Sequence, residues 1–239
     1  MIDPELAAVF VGSSIRLAAP LLLAATGELV SERAGVLNMS VEGLMLAGAF
    51  AGATASWATG SPLLGLLCGV LCVLPIAWLQ AFLSITLRAN QIVTGIGINI
   101  LVLGATTLAY RAIFGSRSRA EIPGLDKWAP PGLSEIPHLG EQVFRQAWLL
   151  YAAIVLIVLV GWVMRATALG LAIHAAGTSP QAASHSGLKV SRIRYGAVLF
   201  TGFMSALAGC FLSIGDIHTF TEGMTGGAGY LAIKAGVPV

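Results

Sequence analysis

The sequence predicts an all-α, polytopic transmembrane helical bundle, and three observations carry that prediction. Apolar residues make up 56% of the 239 residues, Asp, Glu, Lys and Arg together only 10%, and the mean hydropathy is +0.86. A soluble domain is about 25% charged, so this composition places the chain in a bilayer. Its apolar runs approach the ~20 residues a helix needs to cross about 30 Å of hydrocarbon, whereas barrel strands would be half as long and alternating. Residues 1–5 carry no basic n-region and no small-residue cleavage site follows, so no removable signal peptide is expected. The net charge of +2 gives no reason to expect a nucleic-acid partner. Cys68, Cys72 and Cys210 sit inside apolar runs and are odd in number, which reads as packing rather than as a disulfide or a metal site. No cofactor is implied.

The whole chain, 1–239, reads as one membrane domain. A first span is expected over 6–26, with Pro20 inside it and Arg16 facing the bundle or reaching an interface. Residues 27–43 then place Glu28, Glu32, Arg33, Asn38 and Glu42 between two apolar runs. A charge held in hydrocarbon costs roughly 2.5–3.5 kcal/mol on insertion scales, so these groups must meet water, a partner or a pathway. A short cytoplasmic turn with Glu32 and Arg33 solvated would satisfy that requirement. Asn38, Ser40 and Glu42, however, lie beyond Gly35, where the second span (37–57) should already have begun. An interrupted helix at membrane depth is tolerated only where its loose backbone is buried in protein or lines a cavity. A discontinuous helix near the amino terminus is therefore expected, with Gly48 and Gly52 spaced for close helix contact.

The third span is expected over 63–87, kinked at Pro75, and residues 88–91 make a polar joint. The fourth, 92–114, contains Asn99, which either makes an interhelical hydrogen bond or faces a pathway. Residues 115–146 are punctuated by Pro123, Pro130, Pro131 and Pro137 and read as an extramembrane loop. The fifth span, 147–164, has an aromatic belt in Trp148, Tyr151 and Trp162. A loop over 166–194 and a sixth span over 195–214 follow. Residues 215–239 read as a partial re-entrant element, too short to cross and interrupted by Lys234. The 166–194 loop carries Lys189, Arg192 and Arg194 without an acid, while the 115–146 loop is charge-balanced. Basic bias in short loops puts the former in the cytoplasm and the latter outside.

Within the cytoplasmic loop, residues 177–189 read as a self-contained short helix. Ser179 is a good N-cap, Pro180 suits the first helical position, and Gly187 can adopt the left-handed conformation that ends a helix. So short a helix is unstable alone in water and must dock on something. It is either a membrane-surface turn or the element through which a transporter receives force from a motor subunit. Catalysis has no support: His138, His174, His185 and His218 are scattered, and no HExxH or GxSxG occurs. The Gly-rich run 223–229 lacks the Gly-Lys-Ser/Thr of a phosphate loop, so any ATPase must be another chain.

Five segments taken together, 32–45 (Glu-Arg-Ala-Gly-Val-Leu-Asn-Met-Ser-Val-Glu-Gly-Leu-Met), 89–95 (Ala-Asn-Gln-Ile-Val-Thr-Gly), 177–188, 192–195 (Arg-Ile-Arg-Tyr) and 220–225 (Phe-Thr-Glu-Gly-Met-Thr), resemble the permease subunits of bacterial ABC importers for nucleosides and simple sugars. That branch is related to the ribose and branched-chain amino acid permeases. The resemblance implies a multi-pass protein of the cytoplasmic (inner) membrane, surrounded by lipid and not itself an enzyme. It would pair with a second homologous permease, two ATP-binding subunits and an extracytoplasmic substrate-binding protein. It further implies a coupling helix formed by Ser179, Pro180, Gln181, Ala182, Ala183, Ser184, His185, Gly187 and Leu188, seated in a cleft of the ATPase. Asn38, Ser40, Glu42 and Asn99 are the expected pathway residues. The chain departs from the family pattern at Thr178, Ser179 and Gln181, where acidic, amide or charged residues are usual. Members of the family also continue into further apolar segments after the equivalent of Tyr230, so the reading is of a C-terminally truncated or frame-shifted product. Two rivals remain: an ion-driven secondary carrier with Glu28, Glu32 and Glu42 as coupling carboxylates, and a membrane enzyme or assembly factor relying on Glu42 alone.

Overall fold

The structure, a computed structural model, describes residues 4–115, 122–129 and 143–236, so much of the Pro-rich loop lies outside the described residues. The described chain is all-α apart from one two-residue antiparallel pair, β1 (Lys127–Trp128) with β2 (Gln146–Ala147). Among the described residues five helical segments are long and apolar enough to cross a membrane: Ala8–Arg33, Pro62–Thr86, Gln91–Phe114, Trp148–Ala166 and Val190–Ile217.

The first helix, α1 (Pro4–Arg33), runs through Pro20 and Gly27 and ends seven positions later than the sequence suggested, at Arg33 rather than at residue 26. The helix survives Gly27 because the missing Cβ is what lets the later helix carrying Thr201 and Met204 approach. A Cβ there would stand 2.7 Å from that of Met204. The Thr201 hydroxyl donates to the Gly27 carbonyl at 2.7 Å. What stops α1 is Gly35, at φ +82°. Gly35 N–H donates to Glu32 O and Val36 N–H to Ser31 O, the paired bonds of a Schellman ending. Residues 36–40 are non-helical, and α2 (Val41–Thr59) starts later than the predicted residue 37.

Helix α2 is not among the five long apolar segments. Its Gly- and Ala-rich sequence is instead enclosed by α3 (Pro62–Ala81) and α8 (Val190–Cys210). Small residues let the backbones meet, which is how helices associate where lipid supplies no hydrophobic drive. A Cβ on Gly209 would overlap the Met45 carbonyl oxygen, and one on Gly65 would stand 2.7 Å from Gly52 O. Cys210 is spent in this contact, its thiol donating to Gly48 O at 3.3 Å. Gly209→Ala is therefore expected to cost about 1–3 kcal/mol through forced backbone movement. Gly104→Ala, with open space at its Cβ, should stay within about 0.5 kcal/mol. Thermal midpoints of the two detergent-solubilised variants check the contrast.

A π-helical turn, Phe82–Thr86, follows α3, and α4 (Gln91–Phe114) follows the polar joint, capped by Asn90 Oδ1 accepting from Ile92 and Val93 N–H. After the segment that carries β1 and β2 come α5 (Trp148–Ala166), α6 (Ala168–Thr178), α7 (Pro180–His185) and α8. The apolar α6 was not anticipated inside the 166–194 loop. It starts where Thr167 caps it, its hydroxyl oxygen accepting from Gly170 N–H at 3.3 Å. Helix α8 continues into a π-helical turn, Phe211–Ile217, and Arg16 approaches Asp216 at 3.8 Å. The last element, α9 (Ala228–Gly236), packs against α1 and α2. Lys234 does not interrupt it, because its side chain is exposed.

Candidate functional site

The site is the seven-residue gap between α1 and α2, residues 34–40. A backbone that leaves helical geometry at this depth exposes amides and carbonyls that water cannot serve, and each must find a partner. Side chains from three helices supply them. Ser31 Oγ of α1 donates to Val36 O at 2.7 Å, and Gln91 Oε1 of α4 accepts from Leu37 N–H at 2.9 Å. Glu28 Oε1 of α1 accepts from Asn38 N–H at 2.7 Å. Asn99 of α4 clamps both sides of the α2 start: Nδ2 donates to Met39 O at 2.8 Å and Oδ1 accepts from Gly43 N–H at 2.8 Å. Arg194 of α8 donates from Nε to Ala34 O at 3.0 Å. Close approach makes the Asn99 clamp possible, since a Cβ on Gly43 would lie 2.8 Å from Asn99 Oδ1 and one on Gly95 2.5 Å from that of Met39.

Asn38, Ser40, Glu42 and Asn99 are thus brought together around one break. Asn38 Oδ1 accepts from both the Ser40 amide (3.1 Å) and the Ser40 hydroxyl (2.6 Å), and both residues are fully buried. Asn38 Nδ2 and Glu28 Oε2 are buried without a hydrogen-bond partner among the described residues. The second Asn99 bond from Nδ2 reaches the Tyr230 hydroxyl of α9 at 2.9 Å. Glu42, half-buried in the first turn of α2, receives the start of α9. Its Oε1 accepts from Thr225 Oγ1 (2.6 Å) and Gly227 N–H (2.9 Å), and its Oε2 accepts from Gly229 N–H (2.7 Å). A carboxylate satisfying the free amides at a helix N-terminus is favourable both as hydrogen bonding and against the helix dipole. A Cβ on Gly229 would stand 2.5 Å from the Glu42 backbone, so glycine is required for the contact.

The segment leading to α9 is latched at its far end. Arg111 of α4 donates two bonds to the Glu222 carboxylate, at 2.9 and 3.1 Å. That guanidinium holds the exposed Glu222 below the usual carboxylate range.

The second group of predicted residues forms α7 and its ending. Gly187 is left-handed at φ +85°, and Gly187 N–H to Ser184 O with Leu188 N–H to Ala183 O makes another Schellman ending. Ala183 is buried, while Gln181, Ala182, Ser184 and His185 are exposed. Ser179 occupies the position before the helix, but its side chain makes no capping bond: with φ −143° and ψ 80° it serves through its backbone, its carbonyl accepting from Ala183 N–H.

The two groups are physically joined. Arg194 donates from Nη2 to Ala176 O at 3.2 Å while its Nε holds Ala34 O, so one side chain bridges α6 and the break. A Cβ on Gly177 would overlap the Arg33 carbonyl oxygen. Arg33 Nη1 donates to His174 Nε2 of α6 at 2.7 Å. Reading the sequence missed the roles of Gln91, Arg194, Thr225 and Tyr230. The first three lie in segments that carried the family resemblance, which was the available signal.

A family model described as branched-chain amino acid transport system / permease component matches residues 10–237. A putative glucose ABC transporter permease of Haloferax volcanii is 37% identical over 95% of this chain and 69% of its own. The guanosine ABC transporter permease of Bacillus subtilis is 32% identical over 97% of this chain and 75% of its own. The nucleoside ABC transporter permease of Lactococcus lactis subsp. cremoris is 29% identical over 95% and 74%. No solved structure matches.

Proposed function

The chain belongs to the branched-chain amino acid transport permease family, and from that membership we propose that it imports a nucleoside or simple sugar across the cytoplasmic membrane. It is a multi-pass permease subunit of an ABC importer. The observation that carries the fuller reading is the rigid connection from the α7 base to the helix break. In this reading α7 docks into an ATP-binding subunit in the cytoplasm. Movement of α7 passes along α6, whose end abuts Arg33, and through Arg194 to the Ala34 carbonyl. The break at 34–40 is where such a push can act, because its geometry rests on exchangeable side-chain bonds rather than on a helical ladder.

Asn38, Ser40, Glu42 and Asn99 would then line the substrate path once the break opens. They are polar groups of the type that hydrogen-bonds sugar hydroxyls, and in the enclosed arrangement Ser40 bonds Asn38 while Asn99 and Glu42 are engaged by the break and by the start of α9. Substrate would arrive from an extracytoplasmic binding protein, and a second homologous permease would complete the path. The names of the relatives, for glucose, guanosine and nucleosides, support this substrate range. The test is uptake of labelled guanosine and glucose by membrane vesicles containing the chain and its partner subunits. Uptake should stop on ATP depletion and persist when ion gradients are dissipated. Uptake that survives ATP depletion and collapses with the gradient would instead make Glu28, Glu32 and Glu42 ion-coupling carboxylates.

A further inference from the structure

A cavity of about 220 Å³ opens where α1, α5 and α6 meet, with Arg33, Arg165 and His174 at one end and Leu29, Ile157 and Val160 at the other. The order follows from position along the helices. Arg33 is the last residue of α1, and Arg165 lies in the last turn of α5. Leu29 and Val160 sit one turn or more deeper. A basic rim therefore stands over an apolar floor, the layering of a phospholipid headgroup over its acyl chains. No Asp or Glu lines the cavity.

The rim has unused donor capacity. A guanidinium only donates, so in the 2.7 Å contact with Arg33 the His174 Nε2 is the acceptor. That contact occupies one guanidinium N–H. Among the described residues Arg33 and Arg165 make no salt bridge, and Arg165 makes no hydrogen bond. Two arginines and a histidine converge at this helix junction, and the neighbouring acid, Glu32, makes no salt bridge with Arg33 among the described residues. The groove is also open sideways, since nothing lies within 4 Å of where a Cβ on Gly161 would be.

We propose that this pocket binds the phosphate headgroup of an anionic membrane lipid, with an acyl chain lying along Leu29 and Val160. Basic pockets between helices near the bilayer surface attract anionic headgroups, each arginine contributing comparably to a lipid-surface contact. The apolar floor selects a lipid over a soluble anion, because free phosphate would leave that surface uncovered. The proposal stands apart from the substrate reading, since it needs only the membrane location and the cavity.

The test uses the full chain in nanodiscs of phosphatidylcholine containing a minority of phosphatidylglycerol, re-extracted in detergent, with retained lipid counted by mass spectrometry. The wild type should retain phosphatidylglycerol in preference to phosphatidylcholine. Arg33→Gln and Arg165→Gln should each lower that retention about fivefold, the effect of one lost surface charge. Arg165 is exposed and its variant should keep the wild-type thermal midpoint, which separates lost binding from lost folding. Arg192→Gln, at the neighbouring apolar cavity of about 430 Å³ between α1, α6 and α8, should leave retention unchanged. Excess inorganic phosphate should not displace the lipid. Equal retention of the two lipids by the wild type, an equal loss in Arg192→Gln, or displacement by inorganic phosphate would each overturn the proposal.

Discussion

Glu42→Ala should abolish uptake and lower the thermal midpoint of the purified chain by several degrees. The carboxylate serves three donors at once, the Thr225 hydroxyl and the Gly227 and Gly229 amides. One hydrogen bond to a charged group is worth about 1.5–3 kcal/mol net, and orphaning a buried donor adds its desolvation cost. A loss of at least about 2 kcal/mol is therefore expected, against a whole-domain stability of about 5–15 kcal/mol. The effect should be local first. Without the carboxylate, α9 keeps the Tyr230 bond to Asn99 and its packing against α1, but its N-terminal amides have no acceptor. Glu42→Gln retains one carbonyl oxygen and turns the other acceptor into a donor, so it should fall between the two. Cysteine labelling at exposed Thr221, through Thr221→Cys in a Cys72→Ser background with and without Glu42→Ala, checks the site of the change. Wild-type stability and uptake in Glu42→Ala would mean that this carboxylate holds nothing in place.

The class of the fold was legible because the bilayer imposes it on composition: a chain with 10% charged residues has few other places to be. The break between α1 and α2 was legible for the same reason, as polar residues past Gly35 are costly anywhere but in a protein-lined interior. Its boundaries were not. Gly27 looks like a helix end in isolation and is instead a packing position, a distinction that depends on Met204, far away in the sequence. Helix α6 was invisible because a mostly apolar run of eleven residues next to a basic loop has no signature that distinguishes a short helix from a surface segment. The partner of Glu42 could not be read either. A carboxylate in the first turn of a helix normally serves its own amides, and nothing local says that Glu42 reaches across to those of α9 instead.

Ser184→Glu combined with His185→Glu should leave the chain in the membrane at wild-type abundance, and leave ATP hydrolysis by the assembled complex running, while uptake falls tenfold or more. A tenfold loss corresponds to about 1.4 kcal/mol of disrupted docking, which two new charges at a contact easily reach. Both side chains are exposed on α7, so the substitutions change what the helix presents and not how it is held. It is held from beneath by buried Ala183 and closed by the Gly187 and Leu188 bonds, and Ser179 N–H to Ala175 O continues it into α6. Those restraints matter because a six-residue helix has no independent stability, and an unsupported one would absorb a push rather than transmit it. Ala183→Asp is the contrasting variant: it buries a carboxylate at the base and should lower abundance as well as uptake. If the double variant transports at the wild-type rate, α7 does not contact the ATPase, and the path through Arg194 to the helix break carries no force.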